Sequence, residues 1–297
     1  MLYDSTYSAV KSILAASGGD MSKEYDSTYD LVVELIDIAK EPGEDSLDFT
    51  PAGYSEVQSE EFDQTIKEEY ENQIAYAKTI YDNWDPNNTS AGNLFYDDRK
   101  LSICPFIDTS NVTSMVGMFR GSTIIYVPQL DTSKVTNMTY MFYQCSTITS
   151  VPQLDTSKVT SMSGMFYGCQ LLTSVPQLDT SNVTSMSEMF SSCGTLTSIP
   201  QLNCGSVTST SAPFGYSSLS KLTNLGGFKD LKVSWSSNFL DRVPNATVES
   251  LMNVINNLYD LTANGLSGGT LKFGTTNLNK LTTDQIAVAT NKGWTLT

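Results

Sequence analysis

The sequence DTSKVTSMSGMFYGCQLLTSVPQL, residues 155–178, decides the fold, because three further copies of this unit surround it. Those copies begin at Asp108, Asp131 and Asp179, so successive copies are separated by 23, 24 and 24 residues. One such unit is too small to bury its own apolar side chains. The repetition therefore predicts a stack of similar units that share a core.

The repetition extends beyond the four full copies. A half copy, LSICPFID, begins at Leu101, and a degenerate fifth copy begins at Asn203. We therefore expect the stack to span residues 101–230. Strand and helix patterns still alternate over residues 231–297, and we expect this part to close the stack with longer, helix-bearing repeats.

The first half of each unit has the apolar spacing of a short helix. Intervals of three and four residues place the apolar side chains on one helical face. In the copy quoted above these residues are Val159, Met162, Met165, Phe166 and Cys169. The side-chain oxygens of the preceding Asp-Thr-Ser triplet are candidate N-caps for this helix.

The second half of each unit is predicted to be a short strand. Leu172, Val175 and Leu178 would point inward, and Pro176 would limit the strand because proline has no amide hydrogen to donate. The predicted fold class is an α/β solenoid of the leucine-rich-repeat type. Each repeat would contribute one short helix and one short parallel strand, and an N-terminal α-helical region would precede the stack.

The motifs F-x-x-C-x-x-L-x-x-V-P and L-D-T-S-x-V-T-x-M-x-x-M-F, both present here, resemble the BspA-like leucine-rich repeat. That family occurs on bacterial cell surfaces and in virion proteins of phages that infect gut bacteria. The resemblance implies a binding surface rather than an enzyme. The first unit departs from the pattern, because it is one residue shorter and has Ser122 in place of the cysteine.

Charge divides the chain into two parts. Residues 1–100 hold 22 acidic and 7 basic side chains, whereas residues 101–297 hold 10 of each. A neutral repeat region lacks the basic footprint of a nucleic-acid-binding protein. No apolar stretch approaches the length of a membrane span, so we expect no membrane insertion. The first residues have no secretory signal pattern, so we expect either that a signal has been removed or that the protein leaves its cell by another route, such as assembly into a phage particle.

The N-terminal hundred residues are predicted to form two regions. In residues 1–53, the motif YDSTY occurs twice, and each copy opens a short amphipathic helix before an acidic linker. These helices could pair as a local hairpin or assemble subunits, for example as a homotrimer on other virion proteins. Residues 54–100 contain a longer amphipathic helix that ends before Pro86, and we expect it to cap the stack.

Several kinds of catalytic site are excluded by composition. The chain has no histidine, which removes Ser-His and Cys-His nucleophile pairs. No phosphate-binding glycine loop is present, so we expect no cofactor and no enzymatic activity. The repeated cysteines, Cys145, Cys169 and Cys193, are predicted to be small buried core residues. The repeated aspartates are predicted to form turns, with a row of calcium ligands as the alternative.

The predicted binding surface is the outward side of the strand segments. Repeated hydroxyl and amide groups there could hydrogen-bond sugars or peptides, or they could simply be solvated. The candidate residues are Thr149, Gln153, Thr173, Gln177, Thr197 and Gln201. Uniform repeats offer little shape to a ligand, so irregular positions, including Arg120, Tyr126 and Tyr216, are further candidates.

Three functions follow from these observations, in order of preference. The first is a non-enzymatic phage virion protein, such as a head fibre, tail fibre or capsid decoration, that binds a host-surface glycan or protein. The second is a bacterial cell-surface adhesin with the same repeats. The third is a polysaccharide depolymerase, which would need two carboxylates that the fold alone brings together.

Overall fold

The computed structural model describes residues 64–105, 107–215, 218–236 and 239–297. The paired helices predicted for residues 1–53 lie outside the described residues, as does Tyr216. The chain divides into two compact units. The first unit includes helix α1 (Gln64–Asn83), Arg99–Asp108 and Ile124–Pro128, and the second comprises Asn87–Asp98, Thr109–Thr123 and Gln129–Thr297.

In the first unit, α1 is fastened to the half repeat. The helix ends before Asp85-Pro86, as predicted. The indole Nε1 of Trp84 donates a hydrogen bond to the carbonyl of Asp108 at 2.7 Å. The side-chain Oε1 of Gln73 accepts one from the main-chain N–H of Ser102 at 3.1 Å. The role of α1 as a cap on the whole stack stays a prediction.

In the second unit, consecutive repeats lie side by side in parallel register. Single parallel bridges join equivalent residues, in the order Ser90, Ser114, Asn137, Ser161 and Ser185. After each bridge, every second main-chain N–H donates to a carbonyl of the next repeat, as from Met115 to Asn137 at 3.0 Å. The series begins at Ala91, so residues 87–98 add a repeat that the sequence analysis did not recognise.

The segment predicted to be a short helix in each repeat is a run of tight turns, so that prediction is wrong. The remaining N–H groups donate three residues back, as from Met118 to Met115 at 3.2 Å. An α-helix would direct its N–H groups four residues back and leave few for the neighbouring repeat. The turns also need a positive φ at every fourth residue, such as 62° at Gly117 and 73° at Gly121.

The segments predicted to be strands face the core as expected, since Leu172 and Leu178 are buried. Of the four full copies, which the structure describes, only the fourth forms strands in this segment. These strands are β1 (Ser198–Ile199) and β2 (Leu202–Asn203), which pair in parallel with β3 (Asn224–Leu225) and β4 (Phe228–Lys229). Pro200 separates β1 from β2, because proline cannot donate to the ladder.

A row of phenylalanine rings fills the core of the second unit, with one ring from each repeat. The rings are those of Phe95, Phe119, Phe142, Phe166, Phe190 and Phe214. Neighbouring ring centroids lie from 5.2 to 6.4 Å apart, and the first five rings are nearly parallel. This row buries the apolar side that a single repeat could not cover.

The C-terminal part contains longer repeats with true helices. After a 3-10 turn (Leu240–Arg242), its elements are α2 (Val248–Asn257), β5 (Gly269–Leu271), α3 (Thr275–Leu278), α4 (Thr283–Asn291) and β6 (Trp294–Leu296). Strands β5 and β6 pair in parallel. Among the described residues, no helix has the length and apolar character needed to cross a membrane.

Candidate binding surface

The predicted glutamines fasten the repeats to one another. The Nε2 of Gln153 donates to the main-chain carbonyl of Gln177 at 2.7 Å, and Gln177 makes the same contact with Gln201 at 3.0 Å. At the end of the series, the Nε2 of Gln201 donates a hydrogen bond to Oδ1 of Asn257 at 3.0 Å. We call Gln129, Gln153, Gln177 and Gln201 the glutamine ladder. Its amide donors are engaged, so a ligand would meet mainly the Oε1 acceptors.

The predicted threonines differ in their hydrogen bonds. Thr173 and Thr197 are exposed, whereas Thr149 is half-buried. The hydroxyl of Thr197 donates to the carbonyl of Thr173 at 3.1 Å, so it also joins neighbouring repeats. In the described part of the chain, the hydroxyls of Thr149 and Thr173 have no hydrogen-bond partner. These two hydroxyls therefore remain available to a ligand.

Tyr126 belongs to the first compact unit, whereas the other six predicted residues belong to the second. It is half-buried and forms a parallel bridge with Ile103. Its carbonyl accepts a hydrogen bond from the N–H of Cys104 at 3.0 Å. Tyr126 thus pairs with the half repeat that begins at Leu101.

The repeated aspartates form the predicted turns. Oδ1 of Asp131 accepts from the N–H of Ser133 at 2.9 Å, and Asp155 repeats this with Ser157 at 3.0 Å. Hydrogen bonds from these serines lower the pKa of both carboxyl groups. Among the described residues, no three acidic or cysteine side chains are grouped as a metal ion requires.

The repeated cysteines are buried in the core, as predicted. The thiol of Cys145 donates to the carbonyl of Phe119 at 2.8 Å, and that of Cys169 donates to Phe142 at 3.1 Å. Burial raises the pKa of Cys145 to about 12. A thiol so buried and so weakly acidic is a packing group rather than a nucleophile.

A group of exposed and half-buried tyrosines lies next to Arg120, and we call this group with Arg120 the tyrosine–arginine row. Its members are Tyr96, Arg120, Tyr140, Tyr143 and Tyr167. The rings of Tyr143 and Tyr167 stack with centroids 4.6 Å apart, while Tyr140 meets Tyr143 edge-on at 83°. Tyr96 is 55% exposed and Tyr140 is 40% exposed, so the row lies at the surface.

Arg120 carries the positive charge of the row. Its Cζ lies 5.0 Å from the ring centroid of Tyr143, 5.5 Å from that of Tyr96 and 5.6 Å from that of Tyr140. These distances place the guanidinium within cation–π range of three rings. Partial burial is the main cause that raises the pKa of Tyr143 above its ordinary value.

The sequence contains a signal for this row that the apolar pattern of the repeats does not show. Four of its members are the residue that follows the core phenylalanine of each repeat, namely Tyr96, Arg120, Tyr143 and Tyr167. Aligning the repeats on that phenylalanine would have grouped them. Only Arg120 was a candidate, and Tyr96 lies in the repeat that we had assigned to the N-terminal cap.

Comparison with known proteins gives one result. A family model described as "Mycoplasma protein of unknown function, DUF285" matches residues 62–149, 89–199 and 124–228, which together cover more than half of the chain. No curated protein and no solved structure matches the chain.

Proposed function

Because the chain belongs to the DUF285 family of repeat proteins, we propose that it is a non-enzymatic binding protein displayed on the surface of a phage virion. In this proposal, the stacked repeats form a solenoid of the leucine-rich-repeat class. Their outer surface binds a glycan or a protein on the host cell. The acidic N-terminal part holds the chain on the particle, either alone or as a homo-oligomer.

The observation that carries a binding role is the tyrosine–arginine row. Tyrosine and arginine are enriched among the residues that contribute most to binding energy at protein surfaces. A tyrosine ring combines a large apolar area with a hydroxyl that can donate and accept hydrogen bonds. Aromatic rings clustered at a surface lower the solubility of a protein, and such clusters commonly mark binding sites. The row therefore favours a binding role.

The division of charge supports separate attachment and binding parts. The excess of acidic over basic side chains lies entirely within residues 1–100, and the remaining residues are balanced. The resemblance to BspA-like repeats, which occur in virion proteins, supports placement on a phage particle. Each part can then serve one of the two contacts that a host-binding virion protein makes.

Adsorption of the labelled full chain to intact bacterial cells tests the binding role. Cells are used untreated, after periodate oxidation of surface sugars, or after protease digestion of surface proteins. Loss of adsorption after periodate identifies a glycan receptor, and loss after protease identifies a protein receptor. If the chain adsorbs to none of a broad panel of gut bacteria, the proposed function is wrong.

A bacterial cell-surface adhesin is the second candidate, and the word Mycoplasma in the family's description favours it. Immunogold electron microscopy with an antibody against the repeats separates the two locations. Gold particles on virions support the first candidate, whereas gold confined to the cell envelope supports the second.

A further inference from the structure

We propose that the tyrosine–arginine row binds a carboxylated saccharide, with the guanidinium of Arg120 holding the carboxylate. This inference rests on the proposed binding function and names the chemical class of its ligand. It concerns residues that differ from the threonines and glutamines first predicted to bind.

The first argument is that three tyrosine rings lie around the guanidinium of Arg120, whereas no described carboxylate forms an ion pair with it. In the described part of the chain, no carboxylate oxygen lies within 4.0 Å of its guanidinium nitrogens. A guanidinium presents paired N–H donors that match the two oxygens of a carboxylate.

The second argument is that the tyrosines supply the contacts a sugar needs. Sugar rings have apolar C–H groups and several hydroxyls, and tyrosine offers both an apolar ring and a hydroxyl. The row is also regular. Cζ of Arg120 lies 5.0 Å from the ring of Tyr143, whose centroid lies 4.6 Å from that of Tyr167. A regular row of similar side chains suits a ligand that is itself a repeating polymer.

The third argument is that the main-chain groups of Arg120, Tyr143 and Tyr167 are already paired within the protein, so a peptide strand cannot join the chain at these three residues. The N–H groups of Arg120, Tyr143 and Tyr167 donate to residues three positions earlier. Their carbonyls accept from Asp97, Gly121 and Gln144 of the preceding repeats at 2.7, 2.7 and 2.6 Å. Addition of a peptide strand depends on unpaired main-chain groups, so recognition at these three residues must use side chains.

The test uses the full chain and defined polymers in a titration followed by calorimetry. The probes are polygalacturonate and polysialate, with methyl-esterified polygalacturonate as the uncharged match and poly-glutamate as the acidic peptide. The variants are Arg120→Gln and Tyr96→Ala, each within the row. The matched control is Lys158→Gln, which removes an exposed positive charge from another part of the repeats.

We expect at least one carboxylated polysaccharide to bind, and its affinity to fall at least about tenfold in the Arg120→Gln variant. Methyl esterification should lower the affinity for polygalacturonate by a similar factor. Tyr96→Ala should lower the affinity for whichever polymer binds. Lys158→Gln should change affinity by less than about twofold, which excludes a general loss of charge attraction.

Three results would overturn the inference. The first is that poly-glutamate binds as tightly as the saccharides and with the same dependence on Arg120, which would identify an acidic peptide as the ligand. The Arg120 and Lys158 variants could weaken binding equally, which would indicate charge attraction alone. The third result is that neither saccharide binds although the chain still adsorbs to cells. In that case the proposed function stands, but its ligand is not a carboxylated saccharide. If adsorption also fails, both proposals fall.

Discussion

The Nε2 atom of Gln153 lies 2.7 Å from the main-chain carbonyl oxygen of Gln177, one repeat further along. The contact crosses the proline-containing segment, where proline prevents a continuous strand ladder. Side-chain amides therefore take the place of some of the main-chain hydrogen bonds between these repeats. Glutamines that the sequence suggested as ligands thus have a structural task.

The first prediction concerns that task. Replacing Gln177 with alanine removes its hydrogen bond to Gln201, so we expect the free energy of unfolding to fall by about 0.5–1.5 kcal/mol. Adsorption to cells should not change. Thr173→Ala is the control for stability, because the hydroxyl of Thr173 has no hydrogen-bond partner in the described part of the chain. A Gln177 variant that keeps its stability but loses adsorption would contradict this assignment.

The second prediction concerns the phenylalanine row. The ring of Phe166 is fully buried between those of Phe142 and Phe190, at 5.8 and 6.0 Å. Phe166→Ala should lower the free energy of unfolding by about 3–5 kcal/mol, since it leaves a cavity between two repeats. Phe166→Leu should cost less because it fills part of that space. Urea unfolding measures both, and a loss below about 1 kcal/mol for alanine would show that the repeats do not share a tight core.

The inward positions were predictable because burial depends on residue type and spacing. Met162, Phe166 and Leu172 are all buried, as expected. The local main chain was not predictable in this way, because runs of four-residue turns and an α-helix place nearly the same positions inward. A positive φ at every fourth residue distinguishes the turns from a helix. The sequence does not reveal these positions, because residues other than glycine also occupy them, such as Tyr140 at 59° and Glu188 at 57°.

The C-terminal helices were easier to predict because their signals are local. The capping box of Thr282 and Gln285 is present and α4 follows it. Thr247 caps α2 by accepting a hydrogen bond from the N–H of Ser250 at 3.1 Å. The tyrosine–arginine row, in contrast, depends on contacts between repeats, which no single repeat reveals.

The third prediction concerns Gly164, which has φ of +59°. A Cβ at this position would lie 2.6 Å from ring atoms of Tyr140. Gly164→Ala should therefore displace the Tyr140 ring and cost about 1–3 kcal/mol of stability. Gly265→Ala is the matched control, since Gly265 also has a positive φ, +67°, and no heavy atom of the described residues outside its chain neighbours lies within 4 Å of its added Cβ. Equal stability of the two variants would show that Tyr140 does not rest on Gly164.

The fourth prediction concerns the buried thiols. Burial raises the pKa of Cys145 and of Cys193 to about 12, so neither forms a thiolate at pH 8 in the folded protein. Iodoacetamide should label them only after unfolding, when their pKa returns to about 8.5. Mass spectrometry before and after denaturation measures this. Rapid labelling of the folded chain would contradict their burial.

The same pKa shifts make stability depend on pH. Between the unfolded pKa near 8.5 and the folded pKa, the unfolded chain binds fewer protons, so stability is full below this range and falls as pH rises through it. Each thiol contributes up to about 1.4 kcal/mol per pH unit. Cys193→Ser removes one such group, so the free energy of unfolding of this variant should fall less steeply with rising pH than that of the unmodified protein. Ser122 already occupies the equivalent position in the first copy.

The fifth prediction concerns Lys292 at the C-terminal end of α2. Its Nζ donates to the carbonyls of Ile255, Asn256 and Leu258 at 3.3, 2.7 and 3.2 Å. A helix end leaves such carbonyls without partners inside the helix, and a positive charge there also opposes the negative end of the helix dipole.

Lys292→Met keeps most of the aliphatic stem but removes the ammonium group, so we expect a loss of about 1.5–3 kcal/mol in the free energy of unfolding. Lys221→Met is the control, because Lys221 is exposed and its ammonium group has no hydrogen bond or ion pair within the described residues. Its variant should change stability by less than about 0.5 kcal/mol. If both variants were equally stable, water would replace the ammonium group at these carbonyls without loss, and Lys292 would not hold the last helical repeats together.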